Sequence, residues 1–147
     1  MSQKPLKEVI EALKVKYPSV EISEKDIITV PVEILVEFMR NIKEEYGFNY
    51  LTNVTAADYP EHFEVVYDVS VIGGPDMLHI KTKIDHNNPV VPSMVQIWGG
   101  AIWQEREVYD LLGITFKDHP DLRRILLEDE WEGHPLRKDY HWEGGRE

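Results

Sequence analysis

Strict two-residue alternation between residues 63 and 84 constrains the fold of this chain more than any other feature. In the first run, apolar side chains occupy every second position: Phe63, Val65, Tyr67, Val69 and Val71. After the turn residues Gly73-Gly74-Pro75-Asp76, the pattern returns in Leu78, Ile80, Thr82 and Ile84. A period of two is typical of a β-strand with one buried face. These runs, with residues 50–56 before them, predict a three-stranded meander.

The polar positions of the meander predict charge pairing between strands. Glu64 and Asp68 stand on the expected wet face of one run, and Lys81 and Lys83 stand on that of the next. Opposite charges on facing strands stabilise a sheet modestly. On the strand before them, we expect one shared face for Tyr50, Thr52, Val54 and Ala56.

The first 47 residues switch between helical and strand periods. Residues 5–17 and 31–47 carry apolar side chains at helical spacing, whereas residues 20–22 and 27–30 form a short hairpin pattern. Pro31 suits a helix start, and Gly47 suits a helix end. The element order predicts a two-layer α+β fold, with helices on one face of a mixed five-stranded sheet.

Composition excludes several classes of function. The 147 residues include no cysteine, which removes disulfides, iron–sulfur ligation and a thiol nucleophile. The net charge of -11 disfavours nucleic acid and anionic membranes. No apolar run is long enough to cross a bilayer, and the first residues lack a signal-peptide core. No glycine-rich phosphate loop precedes a helix. We expect one domain, in which any redox chemistry would need a cofactor held in some other way.

A charged helix follows the meander. A short helix is expected from Pro92 through Trp98, and a longer one from about residue 100 to Leu112, ended by Gly113. One face of the longer helix carries Ala101, Glu105, Val108 and Leu112. A carboxylate on an apolar face must be paired, hydrogen-bonded or protonated. Arg123 and Arg124 are its expected partners, and Arg106 is expected to pair with Asp110 one turn along.

Two chemical alternatives compete with a structural role for this region. Glu105 and Glu107 could form an acid/base pair with His119, but residues two apart on a helix point away from each other. His119, His134 and His141 could hold a metal, although their spacing matches no standard zinc pattern. An ion-paired turn that fixes the C-terminal segment to the domain is the interpretation we favour.

Residues 116–147 lack sustained periodicity and yet contain many large apolar side chains. These are Leu122, Ile125, Leu126, Leu127, Trp131, Leu136, Tyr140 and Trp142. Aromatic and arginine residues spaced along an extended segment are typical of interface anchors. We therefore expect a core domain of residues 1–115 and an extended arm of residues 116–147 that docks on another protein.

The charged helix and the arm resemble a known family. Glu105-Arg106-Glu107, two residues, Asp110-Leu111-Leu112, six residues, His119, three residues, Arg123, one residue and Ile125-Leu126 follow the signature of the hydrophilic C-type subunit of proton-pumping NADH:quinone oxidoreductase, respiratory complex I. Residues 51–60 and 131–140 are similar to two further segments of that family. The matched tail positions include Trp131, His134, Arg137 and Tyr140.

The resemblance implies a peripheral-arm subunit with no catalytic site, no metal and no cofactor of its own. Flavin and iron–sulfur clusters are expected in its partner subunits. The arm would dock on the D-type subunit, which helps to form the quinone site, on the cytoplasmic side of the membrane. The family signature and interface residues would then be Glu105, Arg106, Glu107, Asp110, His119, Arg123, Arg124, Trp131, His134, Arg137 and Tyr140. The alternatives are the equivalent subunit of a membrane-bound nickel–iron hydrogenase or formate hydrogenlyase and, more remotely, a stand-alone acid/base enzyme.

Overall fold

A computed structural model of the chain describes residues 5–122 and residue 134. Its helices are α1 (Leu6–Lys16), α2 (Leu35–Glu44) and α3 (Ala101–Leu112), with a 3-10 turn at Val32–Ile34. Its strands are β1 (Glu21–Ile22), β2 (Ile27–Thr29), β3 (Tyr50–Asp58), β4 (His62–Ser70), β5 (Met77–Asp85), β6 (Val90–Pro92) and β7 (Thr115–Lys117). In this part of the chain, no helix has the length and hydropathy needed to cross a bilayer.

The main sheet has five strands in the order β1-β2-β5-β4-β3. All neighbouring strands are antiparallel except β2 and β5, which run parallel, with Ile28 opposite Ile80. The predicted hairpin, meander and mixed α+β sheet are therefore confirmed. The parallel pair arises because α2 and two long strands separate β2 from β5 in the chain, and β5 returns beside β2 inside the sheet.

One core joins the helices to the sheet. The alternating side chains of β4 and β5 supply Phe63, Val65, Tyr67, Val69, Leu78, Ile80 and Ile84, and α1 and α2 supply Leu13, Leu35, Phe38, Met39 and Ile42. All of these are buried. The two-residue period of the strands thus meets the helical period of α1 and α2 across one layer boundary.

Helix ends follow local chemistry. Gly47 adopts φ 77°, its N–H donates to the Lys43 carbonyl, and the Phe48 N–H donates to the Ile42 carbonyl. This is the bonding pattern of a helix closed by a left-handed residue. Gly113 ends α3 in the same conformation, at φ 75°. Both predicted glycine stops are confirmed, whereas Pro31 precedes a 3-10 turn and α2 itself begins at Leu35.

Two local predictions are wrong. Residues 92–98 form the end of β6 and a turn rather than a short helix. β6 pairs in parallel with β7, with Val91 opposite Phe116, in a second, two-stranded sheet. In β3, a bulge between Leu51 and Asn53 shifts the register, so that Leu51 and Val54 are buried while Tyr50 is exposed. A bulge adds one residue to a strand and moves the side chains on one side of it to the other face.

β7 crosses the predicted boundary between residues 115 and 116. Phe116 is buried against the core, and the His119 side chain is also buried. The core therefore continues at least as far as His119. The extended arm beyond it stays a prediction, since residues 123–133 and 135–147 lie outside the described part of the chain.

Candidate functional site

The carboxylate of Glu105 lies at the centre of the predicted charged region. It is fully buried on the face of α3 that also buries Ala101, Val108 and Leu112, as the helical spacing predicted. The Ser93 hydroxyl donates to Oε1 at 2.6 Å, and the Met94 backbone N–H donates to Oε2 at 2.7 Å. Both donors belong to the turn that follows β6. Glu105 therefore fastens this turn to α3 through two charge-assisted hydrogen bonds when ionised.

Burial raises the pKa of Glu105 to about 7, although the hydrogen bonds from the Met94 N–H and the Ser93 hydroxyl act to lower it. Both donors are neutral, so they satisfy the carboxylate oxygens without balancing a negative charge. The predicted partners Arg123 and Arg124 lie outside the described residues. Within the described chain, Glu105 is thus stabilised mainly by neutral donors.

His119 lies beside the carboxylate in a fixed tautomer. The backbone N–H of Asp121 donates to His119 Nδ1 at 2.9 Å, so Nε2 carries the ring proton and donates to the Ile102 carbonyl at 3.0 Å. His119 Nε2 is also 3.9 Å from Glu105 Oε1, and neither side chain is exposed. The ring therefore joins the chain after β7 to the first turn of α3.

Tyr67, on strand β4, is close enough to Glu105 for the two side chains to interact electrostatically. Burial, with a smaller contribution from the charge of Glu105, holds the pKa of the Tyr67 phenol well above its usual value. The hydroxyl is buried and has no hydrogen-bond partner within the described residues. Sequence reasoning placed Tyr67 in the core correctly but gave no sign that it approaches the carboxylate.

Arg106 is nearly buried although it carries a full charge. Its guanidinium lies 4.9 Å from the centre of the Trp103 ring, and Nη1 is 3.7 Å from Asp121 Oδ2. An arginine over an indole face gains from the ring quadrupole as well as from its ion pair. The structure thus assigns Trp103 and Asp121 as partners of Arg106, and the predicted pairing with Asp110 stays a prediction.

Glu107 points away from Glu105. It is exposed and lines a surface pocket of about 180 Å³ between α3 and β3. The acid/base hypothesis requires Glu105, Glu107 and His119 to converge on one open cleft. The structure brings Glu105 and His119 together in the interior and leaves Glu107 on the surface, which removes the geometric basis of that hypothesis.

His134 lies at the far end of α3. Its Nδ1–H donates to the Asp110 carbonyl at 2.9 Å, and its ring lies 6.0 Å from that of Tyr109. A carbonyl in the last turn of a helix has no partner within the helix, so this contact caps α3 from a residue that is distant in sequence. A Cβ added to Gly113 would come within 2.6 Å of the His134 ring. The absence of a side chain at position 113 therefore makes room for His134.

Two of the three histidines of the hypothetical metal site are described, and they lie far apart. His119 bonds to the first turn of α3 and His134 to its last turn, eight residues apart, which is about 12 Å along a helix. Residues 5–122 and 134 contain no cluster of three or more histidine or acidic ligands. His141, Trp131, Arg137 and Tyr140 lie outside the described part of the chain, so their predicted roles are untested.

Sequence reasoning missed Ser93 and Met94. Both were assigned to the start of a helix that the structure replaces with a turn. The requirement that a carboxylate on an apolar face must find donors was a valid signal. It did not identify the donors, because they come from a turn eleven and twelve residues earlier whose position depends on the β6–β7 pairing.

The fold and the buried carboxylate together define a small α+β domain in which the polar signature residues organise α3 and the chain around it. The chain belongs to the family described as respiratory-chain NADH dehydrogenase, 30 Kd subunit, whose sequence profile matches residues 28–146. The family predicted from the charged-helix signature is therefore confirmed.

Similar proteins agree with this family. The C-type subunit of the NADH-quinone oxidoreductase of Moorella thermoacetica is 42% identical over 143 residues, which cover 92% of this chain and 97% of the relative. A solved structure described as Nqo5 of the trypsin-resistant fragment (1-134) is 33% identical, with a TM-score of 0.67, over 80% of this chain and 98% of that chain. A chain of the archaeal membrane-bound sulfane sulfur reductase has a TM-score of 0.81 over 94% of this chain and 86% of its own, and at 24% identity it shows a shared fold alone.

Proposed function

We propose that this chain is a non-catalytic subunit of the peripheral arm of a proton-translocating NADH:quinone oxidoreductase. Its role is to support the quinone-site D-type subunit while other subunits carry electrons from NADH to quinone. The observation that carries the proposal is family membership over most of the chain, together with the internal contacts of the signature residues Glu105 and His134. Named relatives support this assignment and add nothing to the hydrogenase alternative.

The burial of Glu105, His119 and Arg106 favours a structural role for these signature residues over a catalytic one. Glu105 and His119 are closed to solvent, and Arg106 is nearly so. A catalytic group must touch its substrate, whereas these groups contact the chain itself. The proposal accordingly assigns flavin and iron–sulfur clusters to the partner subunits and none to this one. It places the chain at the cytoplasmic side of the membrane, held by its partners.

In this proposal, the arm docks on the D-type subunit. His134 contacts the end of α3, and the proposed arm includes the residues that follow it in the sequence. The relative described as a trypsin-resistant fragment matches 80% of this chain, which suits a compact core followed by a segment that needs a partner. Apolar and aromatic residues beyond His134 would then be covered by another subunit.

Co-purification of a tagged chain from cells that carry the complex tests the proposal. We expect the full chain to bring down the D-type subunit and the other peripheral-arm subunits in equal amounts. A chain that ends at Leu122 keeps β7 and His119, and we expect at least about a tenfold lower yield of the complex, as for the loss of an interface hot spot. A chain that ends at His134 separates the contribution of residues 135–147 from that of residues 123–134.

Assembly of the chain that ends at Leu122 at full yield would contradict the proposal that the arm docks on the D-type subunit. Thermal unfolding of the purified variant serves as the control, since a lower yield counts only if the shortened chain is folded. Failure of the full chain to enter any such complex would overturn the whole proposal.

A further inference from the structure

The outer edge of the sheet is formed by β3, which spans nine residues. The Val54 N–H donates to Gln104 Oε1 at 2.6 Å and so points away from β4. The Tyr59 N–H donates to the His62 carbonyl, toward β4. Because backbone groups alternate in direction along a strand, the N–H and C=O of Ala56 also point outward. In the part of the chain that the structure describes, neither group of Ala56 has a partner.

This edge is only partly protected: the bulge between Leu51 and Asn53 and the Gln104 side chain at Val54 precede Ala56, and neither occupies the backbone groups of Ala56. Proteins protect exposed edges with lysine, with proline or by covering them. Residues 50–58 contain no proline and no basic residue, and their only charged side chain is Asp58 at the end. The side chain of Gln104 on α3 covers Val54, whereas the described chain offers no hydrogen-bond partner to the backbone of the half-buried Ala56.

A pocket follows the same edge. It is about 180 Å³ and is lined by Val54, Thr55 and Ala56 from β3 and by Glu107, Val108, Leu111 and Leu112 from α3. Successive residues of a strand point to opposite faces, so a pocket lined by all three residues of β3 runs along the edge of the sheet. Its walls are mostly apolar, and Glu107 provides the acidic group at its rim.

Exposed aromatic side chains border this edge. Three aromatic rings stand among the large apolar side chains exposed in the described residues: Tyr50 begins β3, Tyr59 follows its last residue, and Trp103 lies one turn before Glu107 on α3. Tyrosine and tryptophan are enriched at the hot spots that contribute most of the binding energy of protein interfaces. We define the edge surface as Tyr50, Val54, Ala56, Trp103, Glu107 and Leu111.

We propose that the edge surface binds an extended segment of a partner subunit, which pairs with β3 as an added strand. One apolar side chain of that segment enters the pocket, and a neighbouring lysine or arginine faces Glu107. The basic character follows from charge: the chain carries a net charge of -11, and neither β3 nor the pocket contains a positive group. A second copy of the chain is a poor occupant because it would bring a second net charge of -11 to the same edge.

This inference rests on the proposed function, since it takes the partner from the assembled complex. It differs in the surface used: the proposed function relies on residues 116–147, whereas the edge surface belongs to β3 and α3 of the core. Strand addition provides affinity through the backbone and specificity through alternate side-chain pockets. In the edge surface, the backbone of Ala56 would provide the first and the pocket between β3 and α3 the second.

Amide hydrogen exchange of the full chain, alone and in the purified complex, tests the proposal. We expect the Ala56 amide to exchange about 100-fold more slowly in the complex, since an added strand would protect it. Thr55, whose N–H faces β4, is the internal control and should be protected in both states. Unchanged exchange at Ala56 within the intact complex would overturn the edge proposal alone, whereas a chain absent from the complex would overturn the proposed function.

Exchange in the isolated chain identifies other occupants. Protection of Ala56 that grows with protein concentration would assign the edge to a second copy. Protection that is present at all concentrations and disappears when residues 135–147 are removed would assign it to the chain's own terminus. Either result would overturn the proposal of a partner strand.

Two variants provide an independent test by assembly yield. Ala56→Pro removes the outward N–H at an edge position where proline is tolerated, and Glu107→Lys reverses the charge at the rim. We expect each to lower incorporation into the complex by about tenfold, as for an interface anchor. Glu37→Lys is the matched control, because Glu37 is also an exposed helical glutamate, on α2. Equal incorporation of Glu107→Lys and Glu37→Lys would overturn the proposal.

Discussion

A glutamate lies at the centre of the polar contacts around α3, and another lies among those on the outer face of β4 and β5. The pKa values of these two glutamates are shifted in opposite directions. Around α3, Glu105 is buried and accepts hydrogen bonds from Ser93 and from the Met94 backbone. On the sheet face, Glu64 bonds to His62 Nε2 at 3.0 Å and lies 3.4 Å from Lys81 Nζ. Both carboxylates are largely removed from water, but of these two glutamates only Glu64 has a described lysine within salt-bridge distance.

The pKa values separate the two regions. Burial raises the pKa of Glu105 to about 7. Burial also acts to raise the pKa of Glu64, but the His62 hydrogen bond and the Lys81 charge outweigh it, and the pKa falls below its usual value. The comparison teaches that burial alone does not set the protonation of a glutamate in this fold. Glu105 has neutral donors whereas Glu64 has the charged Lys81, so between pH 4.5 and 7 the Glu105 carboxyl keeps a proton that Glu64 has lost.

Replacement of Glu105 by alanine has the largest expected effect. Glu105→Ala leaves the buried Met94 N–H without an acceptor and opens a cavity under α3, so we expect the free energy of unfolding to fall by about 4 kcal/mol. Glu64→Ala should lower it by about 1 kcal/mol, because its partner Lys81 stays partly exposed to solvent, which screens the pair. Urea unfolding of both variants at pH 5 measures the difference. Equal losses would remove the distinction between the two regions.

The pH dependence of stability has the next largest expected effect. The ordinary pKa of 4.5 rises to about 7 in the folded chain, so the native state binds the proton more tightly than the unfolded state. The Glu105 contribution is therefore complete below pH 4.5 and is lost as the pH rises through 7, by about 3 kcal/mol. For Glu64 the sign is reversed: its contribution is present above pH 4.5 and is lost as the pH falls through its lowered pKa.

Glu105→Gln isolates this dependence. A glutamine amide can accept from the Met94 N–H and donate to the Ser93 hydroxyl, as a protonated carboxyl does. We expect the variant to match the parent chain at pH 5 within about 1 kcal/mol and to exceed it at pH 8 by about 3 kcal/mol. Unfolding curves at the two pH values measure the effect. If parent and variant lost stability in parallel between pH 5 and pH 8, the assignment of the proton to Glu105 would be wrong.

The end of α3 provides a smaller effect with a matched control. Gly113 and Gly47 both adopt left-handed φ values, 75° and 77°, but only Gly113 has a close neighbour, the His134 ring. We expect Gly47→Ala to cost about 1 kcal/mol and Gly113→Ala about 2 kcal/mol, because the latter also displaces His134. Urea unfolding measures both costs.

Trypsin digestion shows whether the same contact holds the C-terminal segment. Displacement of His134 in Gly113→Ala should accelerate cleavage after Arg137 and Lys138, since local opening controls access of the protease. Gly47→Ala should leave that cleavage unchanged. Equal cleavage in the two variants would show that His134 does not hold the segment at α3.

How far the sequence predicts this molecule depends on the range of each interaction. The periods of residues 5–17, 31–47 and 63–84 predicted the helices and the meander, because side-chain spacing along one element decides which face is buried. β6 and β7 escaped prediction because each has three residues, too few for a period, and their pairing joins segments 25 residues apart. The burial of Glu105 was predictable from its helical neighbours. Its donors were not, since they depend on that β6–β7 pairing.

The smallest expected effect tests the sheet face itself. Glu64 lies opposite Lys83 in the strand register, yet its ion pair is with Lys81, one position diagonal. Lys81→Ala should therefore raise the pKa of Glu64 toward its usual value and lower the free energy of unfolding by less than about 1 kcal/mol, as is typical of surface pairs. Lys83→Ala is the control, and it should leave the titration of Glu64 unchanged. An NMR titration of the Glu64 side chain distinguishes the two, and an equal shift in both variants would mean that register, rather than the observed contact, sets the charge of this carboxylate.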